Sequence, residues 1–298
     1  MHNFVLEAQG GSGYAACMAS SVTAPGLKAR VTSFWNAAPC GSRYLAGSSL
    51  QNHAWERYLL EPYIFDFAQF SSSKGQRVLE IGVGMGADYE QWLRAGAIAT
   101  GVDLSQESLA HTRQRCEMAG LEHDLHLADA EKLPFPDETF DVVYSYGVMH
   151  HSPDTECCIA EAWRVLKPGG SARIMLYHHA SLTSLMLWLR YGIWKGQSVR
   201  RCVFERLESP GTKTFTKAEV FSMMRRFEDL TIVQVLSPGD TLAHKPSTRF
   251  QGRTYQFIWK MFPRRIVRLF GKRLGLFLLI TGRKNAEGPK RELQPATL

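Results

Sequence analysis

A glycine turn lies directly between a strand-like run and a helix-like one: Val78-Leu79-Glu80-Ile81 leads into Gly82-Val83-Gly84-Met85-Gly86-Ala87. Glycine tolerates positive φ and lets a ligand approach the backbone closely, so such a turn suits a nucleotide-type group held at a helix N-terminus. Gly82, Gly84 and Ala87 satisfy the dinucleotide pattern G-x-G-x-x-G/A, and Asp103 follows 21 residues after Gly82. A carboxylate placed there, at the end of the next strand, can accept both hydroxyls of a ribose. These residues alone leave nicotinamide dinucleotides and other adenosyl cofactors equally open.

The surrounding texture is one of short apolar runs alternating with helical patterns, which argues for a parallel sheet covered on both faces. Strands are expected at 77–81, 98–102, 125–127, 141–144 and 172–176, with further strands at 230–236 and 274–281. Helices are expected at 87–95, 106–119 and 155–166, the last stopped by Lys167-Pro168-Gly169-Gly170. Ahead of this block, Trp55, Leu59, Leu60, Tyr63, Ile64 and Phe67 recur at helical spacing. Thr216-Lys217-Ala218-Glu219 has the spacing of a capping box.

At 45% apolar and 21% charged residues, the chain has globular composition, which excludes collagen-like, coiled-coil and wholly disordered readings. The net charge of +7 is local: residues 249–284 hold ten Lys and Arg and no acid, so the basic balance is no argument for nucleic-acid binding, and no specific nucleic acid is expected. The six cysteines have no C-x-x-C spacing and no apolar run reaches the length of a membrane span. A cytoplasmic protein is expected, with candidate peripheral membrane contact through 249–284, where cations are interleaved with Phe, Ile, Val and Leu.

Several further motifs follow in order. Asp129-Ala130-Glu131 closes the third strand, Leu133-Pro134-Phe135-Pro136-Asp137 leads into the fourth, and Trp163-Arg164-Val165-Leu166-Lys167-Pro168-Gly169-Gly170 closes the block. From Val78 to about Leu176 the chain resembles the class I S-adenosylmethionine-dependent methyltransferases, in particular the ubiquinone/menaquinone C-methyltransferase-like (type 11) group. That resemblance implies an α/β fold, a doubly wound, mostly parallel seven-stranded Rossmann-like sheet with an antiparallel last strand. It also implies S-adenosylmethionine as cofactor. By the family's motifs, Glu80, Gly82, Gly84 and Gly86 surround its methionine portion, Asp103 holds the ribose, Leu104 packs on the adenine, and Asp129 and Ala130 meet its amino edge. Ser145 and Tyr146, ending the fourth strand, are further cofactor-side candidates.

Methyl transfer to a hydroxyl, an activated carbon or an ammonium needs a group to take a proton, and histidine suits that task. His150 and His151, just past the fourth strand, are the candidates, with positioning or a structural role as the other readings. Neither they nor His178 and His179 have the spacing of a convincing metal site, so none is expected. The expected acceptor is a small or lipophilic metabolite. The alternatives are a non-catalytic S-adenosylmethionine-binding regulatory protein and an NAD-dependent oxidoreductase. The expected organisation is a flexible extension (1–30), a cap loop and helix (31–72), the cofactor core (73–180), a substrate-facing insertion (181–217) in which Trp188, Tyr191 and Trp194 line or pack a lid, a C-terminal unit (218–284) and a flexible tail (285–298). The oligomeric state is not legible in the sequence.

Overall fold

The structure is a computed structural model, described here for residues 25–37, 50–243 and 260–286. Seven strands form one sheet: β1 (Arg77–Ile81), β2 (Ile98–Asp103), β3 (Asp124–Leu127), β4 (Phe140–Tyr146), β5 (Leu166–Tyr177), β6 (Phe227–Val235) and β7 (Phe277–Lys284). Their order is β3-β2-β1-β4-β5-β7-β6. Strands β1 to β5 pair in parallel, and β7 runs antiparallel to both β5 and β6. The expected mostly parallel sheet with an antiparallel last strand is the observed one.

Both faces of the sheet are covered, which is why its strands read as near-continuous apolar runs rather than alternating ones. Leu79, Ile81 and Val143 pack on one side with Ile159 and Ala162 of α6 (Thr155–Val165) and Val220 of α9 (Lys217–Met223). Val78, Val142 and Tyr144 pack on the other with Tyr89 and Trp92 of α4 (Ala87–Arg94), Leu109 of α5 (Gln106–Met118) and Ile64 and Phe67 of α3 (Tyr63–Ala68). Each large side chain buried this completely contributes about 1.5–3 kcal/mol relative to leaving it in water.

Local chemistry sets the helix starts. Ser105 accepts from the Ser108 N–H ahead of α5, and Asp154 accepts from the Cys157 N–H ahead of α6. The capping box at Thr216 and Glu219 forms as its spacing predicts. At the other end, α6 stops just ahead of Lys167-Pro168-Gly169-Gly170 and passes directly into β5, which takes up these residues. Leu166 already pairs with Phe140, and the Lys167–Gly170 stretch is absorbed as an irregularity in the β4–β5 register, with Gly169 at φ +76°.

Ahead of the sheet the structure departs from the sequence reading. Pro25–Ala37 is a helix, α1, where an extension and then a loop were expected. The run of helical spacing from Trp55 to Phe67 is split into α2 (Leu50–Leu60) and α3 around Pro62. That break removes the common face its spacing implied, and Trp55 and Leu59 are exposed while Ile64 and Phe67 are buried. The insertion comprises α7 (Leu182–Leu187), a π turn, a 3-10 turn and α8 (Val199–Arg206). The residues of the extension before 25, most of the tail, and 249–259 of the basic segment fall outside the described residues. Within that segment, α10 (Arg264–Phe270) leaves Ile266 and Leu269 exposed beside Arg265 and Arg268.

Candidate functional site

A cavity of about 450 Å³ opens at the C-terminal ends of the parallel strands, where open α/β sheets place their ligands. Its floor is the glycine turn. Gly82 has φ +82°, and a Cβ there would lie 2.1 Å from Val148 Cγ2, so both conformation and space require glycine.

Asp103 ends β2 beside this turn. One carboxylate oxygen accepts from the Gly84 N–H at 3.0 Å and the other from the Ser105 N–H at 2.8 Å, which fixes the group at the cavity wall. Burial raises its pKa to about 6 against the pull of these backbone donors. Glu80 is buried, its pKa raised well above the usual carboxylate range by that burial and by neighbouring Asp88. Among the described residues its Oε2 has no hydrogen-bond partner, and the side chain lines the cavity.

Asp88, in the first turn of α4, accepts from Arg57 Nη2 at 2.7 Å, Tyr58 Oη at 2.9 Å and Tyr144 Oη at 2.7 Å. The guanidinium of Arg57 also lies 3.9 Å from Glu61 and over the Tyr146 ring. Thus α2 and the residue that follows it bring a cation, Arg57, and two carboxylates, Glu56 and Glu61, to the cavity wall that Glu80 also lines.

On the opposite flank Asp129 accepts from the Glu131 N–H at 2.9 Å and from Lys28 of α1 at 2.6 Å. Lys28 also meets the buried Glu131, and Val31, Phe34 and Trp35 of the same helix line the cavity. The segment read as an extension and loop is a wall of the site.

The two histidines separate. His151 lines the cavity, with Nδ1 2.8 Å from Ser209 Oγ and 3.1 Å from Thr212 Oγ1, and the Trp35 ring edge-on 5.1 Å away. His150 does not line it. Its ring is fully buried against Tyr177 at 3.7 Å, neither nitrogen has a hydrogen-bond partner among the described residues, and burial holds its pKa well below the ordinary value. Glu208, from the end of the insertion, lines the cavity, accepts from Tyr177 Oη at 3.0 Å and lies 3.3 Å from His151 Nε2. Donor atoms of His150, His151 and Glu208 all fall within 4.8 Å of one another.

Comparison with known proteins bears on this arrangement. Residues 79–174 match the family described as "Methyltransferase domain". That match takes in about a third of the chain, from β1 to β5, and is to a methyltransferase domain. A phosphatidylethanolamine N-methyltransferase of Cereibacter sphaeroides is 37% identical over 126 residues, covering 38% of this chain and 62% of that protein. A fatty-acid O-methyltransferase of Mycolicibacterium smegmatis is 39% identical, covering 38% and 41%. A demethylmenaquinone methyltransferase of Tropheryma whipplei is 31% identical, covering 44% and 52%. The chain spans less than two thirds of the length of each. Among solved structures, a phosphoethanolamine N-methyltransferase 2 of Haemonchus contortus, in complex with phosphomonomethylethanolamine and S-adenosylhomocysteine, has a TM-score of 0.52 at 21% identity, covering 78% of this chain and 53% of that one. The [4+2]-cyclase SpnF has a TM-score of 0.50 at 18% identity, covering 74% and 80%. These structural likenesses are of fold alone.

Within the matched residues 79–174, Glu80, Gly82, Gly84, Asp103, Leu104, Asp129, Ala130, Tyr146 and His151 all line this cavity. Gly86, Ser145 and His150 do not. Gly86 sits at the N-cap of α4 with φ +74°, against Thr112. Ser145 is buried and donates to the Ile81 carbonyl at 3.1 Å. Of the residues the sequence reading did not single out, Lys28, Arg57, Glu61 and Glu208 lie outside the matched block, and Asp88 directly follows the glycine turn. Trp188, Tyr191 and Trp194 are not on the wall; Trp188 donates to the Gln197 carbonyl at 2.8 Å and Trp194 is 87% exposed.

Proposed function

We propose that the protein transfers a methyl group from S-adenosylmethionine to a small or lipophilic acceptor. The observation that carries this reading is the placement of Asp103: an acid gripped by two backbone N–H groups at the rim of a cavity floored by the glycine turn, within the matched domain. Its remaining lone pairs suit two ribose hydroxyls. The orphaned Glu80 oxygen and the nearby Arg57 guanidinium suit the ammonium and carboxylate of a methionine portion, while Leu104 and Ala130 offer an apolar wall for adenine. Bound there, S-adenosylmethionine supplies an electrophilic methyl carbon on a sulfonium.

The work left to the chain is alignment of the acceptor, exclusion of water and removal of a proton. His151, on the cavity wall beside Glu208, is placed to hold or take that proton, whereas His150 is walled off by Tyr177. The names of the relatives, which act on lipids and on quinone-type and other small molecules, support an acceptor of that kind for this chain. The basic C-terminal segment, with Arg265 and Arg268 beside exposed Ile266 and Leu269, supports contact with an anionic membrane.

Screening lipid, quinone-type and hydroxylated acceptors with S-adenosylmethionine labelled in its methyl group tests the reading. Label transferred to an acceptor supports it. Tight binding of the cofactor with no transfer to any class would favour a regulatory, non-catalytic binding protein.

A further inference from the structure

The outer face of the insertion has a composition that the cavity does not use. Thr183 of α7 lines the cavity and Ser184 is buried, so one side of this helix belongs to the core. The other side presents Leu185, Leu189, Ile193 and Trp194, exposed by 44%, 47%, 42% and 87%. Leu185, Leu189 and Ile193 recur at four-residue spacing through α7 and the turns that continue it, which makes them one stripe with Trp194 at its end. Leaving four large apolar side chains in water forgoes burial that a lid folded for its own stability would have gained.

Charge says what meets this stripe. From Leu182 to Phe204 the chain has four cations, Arg190, Lys195, Arg200 and Arg201, and no Asp or Glu. Arg200 and Arg201 pair with Glu219 and Glu205, and Arg190, over the Tyr191 ring at 5.2 Å, and Lys195 are both exposed beside the apolar residues. A Leu- and Trp-bearing stripe flanked by cations matches an anionic bilayer surface: the aliphatic chains enter the acyl boundary, the indole rests at headgroup depth, and the cations meet phosphates. A second copy of this chain fits less well, because a symmetric contact of the stripe would gather the cations of both copies, and residues 182–204 hold no acid to offset them.

We infer that the outer face of the insertion, Leu185, Leu189, Ile193 and Trp194 with Arg190 and Lys195, docks the protein on an anionic lipid surface. The helix that makes the contact also walls the cavity through Thr183, so docking sets this wall of the cavity against the bilayer. This surface is separate from the C-terminal basic segment, and the inference does not depend on methyl transfer.

Vesicle sedimentation of the full chain tests it, using phosphatidylglycerol mixed with phosphatidylcholine, and phosphatidylcholine alone. The expected result is sedimentation with the anionic vesicles at low salt, little with the neutral ones, and a loss of roughly tenfold or more in partitioning for Leu189→Glu combined with Trp194→Glu. Both positions are exposed, so the variant's thermal midpoint should stay at the wild-type value. No sedimentation at low salt overturns the inference, as does undiminished binding by the double variant. Loss of binding only in Arg265→Glu with Arg268→Glu would assign the contact to the C-terminal segment and equally overturn it. Concentration-dependent association of the lipid-free protein that Trp194→Glu abolishes would assign the stripe to a second copy. Cofactor titration of the same preparation reports on the methyltransferase reading independently.

Discussion

Lys28 Nζ lies 2.6 Å from Asp129 Oδ2, joining α1 to the turn after β3 across 101 residues of chain. The same ammonium meets Glu131, a buried carboxylate that also accepts from the Asp154 N–H at 3.0 Å. Asp129, the acid expected to face adenine, is therefore also the anchor for a helix that closes the cavity.

Replacing Lys28 with Met leaves two acids without their cation, one of them buried, and should lower the stability of the full chain by about 1–3 kcal/mol, the usual scale for hydrogen bonds to charged groups. Burial disfavours the ammonium, but its bonds to Asp129 and Glu131 outweigh this and raise its pKa above 10.5. A raised ammonium contributes fully below its unfolded pKa and loses its contribution only as pH rises through the folded one. The stability difference between wild type and variant in urea should therefore be flat across neutral pH and shrink only in strong alkali. An unchanged urea midpoint would show that the latch carries no stability.

Asp103 should tie cofactor affinity to pH. Its pKa, raised from 3.8 to about 6 by burial, means that the folded chain holds this proton more tightly than the unfolded one. Its contribution to stability is present below pH 3.8 and is lost as pH rises through about 6, whereas ribose binding needs the ionised form. Affinity for S-adenosylmethionine should therefore fall as pH drops through 6. Asp103→Ala should weaken it by roughly 1.5–3 kcal/mol at neutral pH and flatten the pH dependence. Calorimetry from pH 5 to 8 reads both effects; undiminished affinity in the variant would misplace the ribose site.

His150 should prove dispensable for chemistry. With neither ring nitrogen partnered and the ring against Tyr177, His150→Phe should leave cofactor affinity unchanged and stability at or above the wild-type level, since it removes unsatisfied buried polar atoms. The depressed pKa has a definite sign. The neutral ring is stable above the unfolded value of 6.5, and stability is lost as pH falls below it toward the folded value. The variant should lose that part of the acid limb in thermal unfolding, and an identical limb in both proteins would contradict the assignment.

The strands and helices of residues 77–177 were legible because each carries its own signal: apolar runs, Ser105 and Asp154 as caps, and a glycine turn that the space around Val148 enforces. The walls of the site were less so. Arg57, Asp88 and Glu208 acquire their roles only when α2, α4 and the insertion converge, and nothing in their local spacing announces it. The sequence also could not tell His150 from His151, since adjacency in the chain says nothing about which ring Tyr177 covers. Helix α1 was missed for the same kind of reason. The hold on it, Lys28 to Asp129 and Glu131, is non-local, and its surroundings are rich in Gly, Ala and Ser.

Glu208, held by Tyr177 and facing His151, should matter for turnover rather than for the cofactor. Glu208→Gln keeps the size and removes the charge, so S-adenosylmethionine affinity should hold while label transfer to an acceptor found by screening falls roughly 100-fold, the scale of general acid–base assistance. Wild-type transfer by Glu208→Gln would remove this carboxylate from the proton path.

The central claim, that the cavity at the strand ends is built for a methyl donor, is met most directly by calorimetric titration of the full chain with S-adenosylmethionine, S-adenosylhomocysteine and NAD. The account predicts saturable binding of both adenosyl ligands at one site per chain, abolished or strongly weakened in Asp103→Ala, and no binding of NAD. Binding of NAD alone would contradict it from the glycine turn onward.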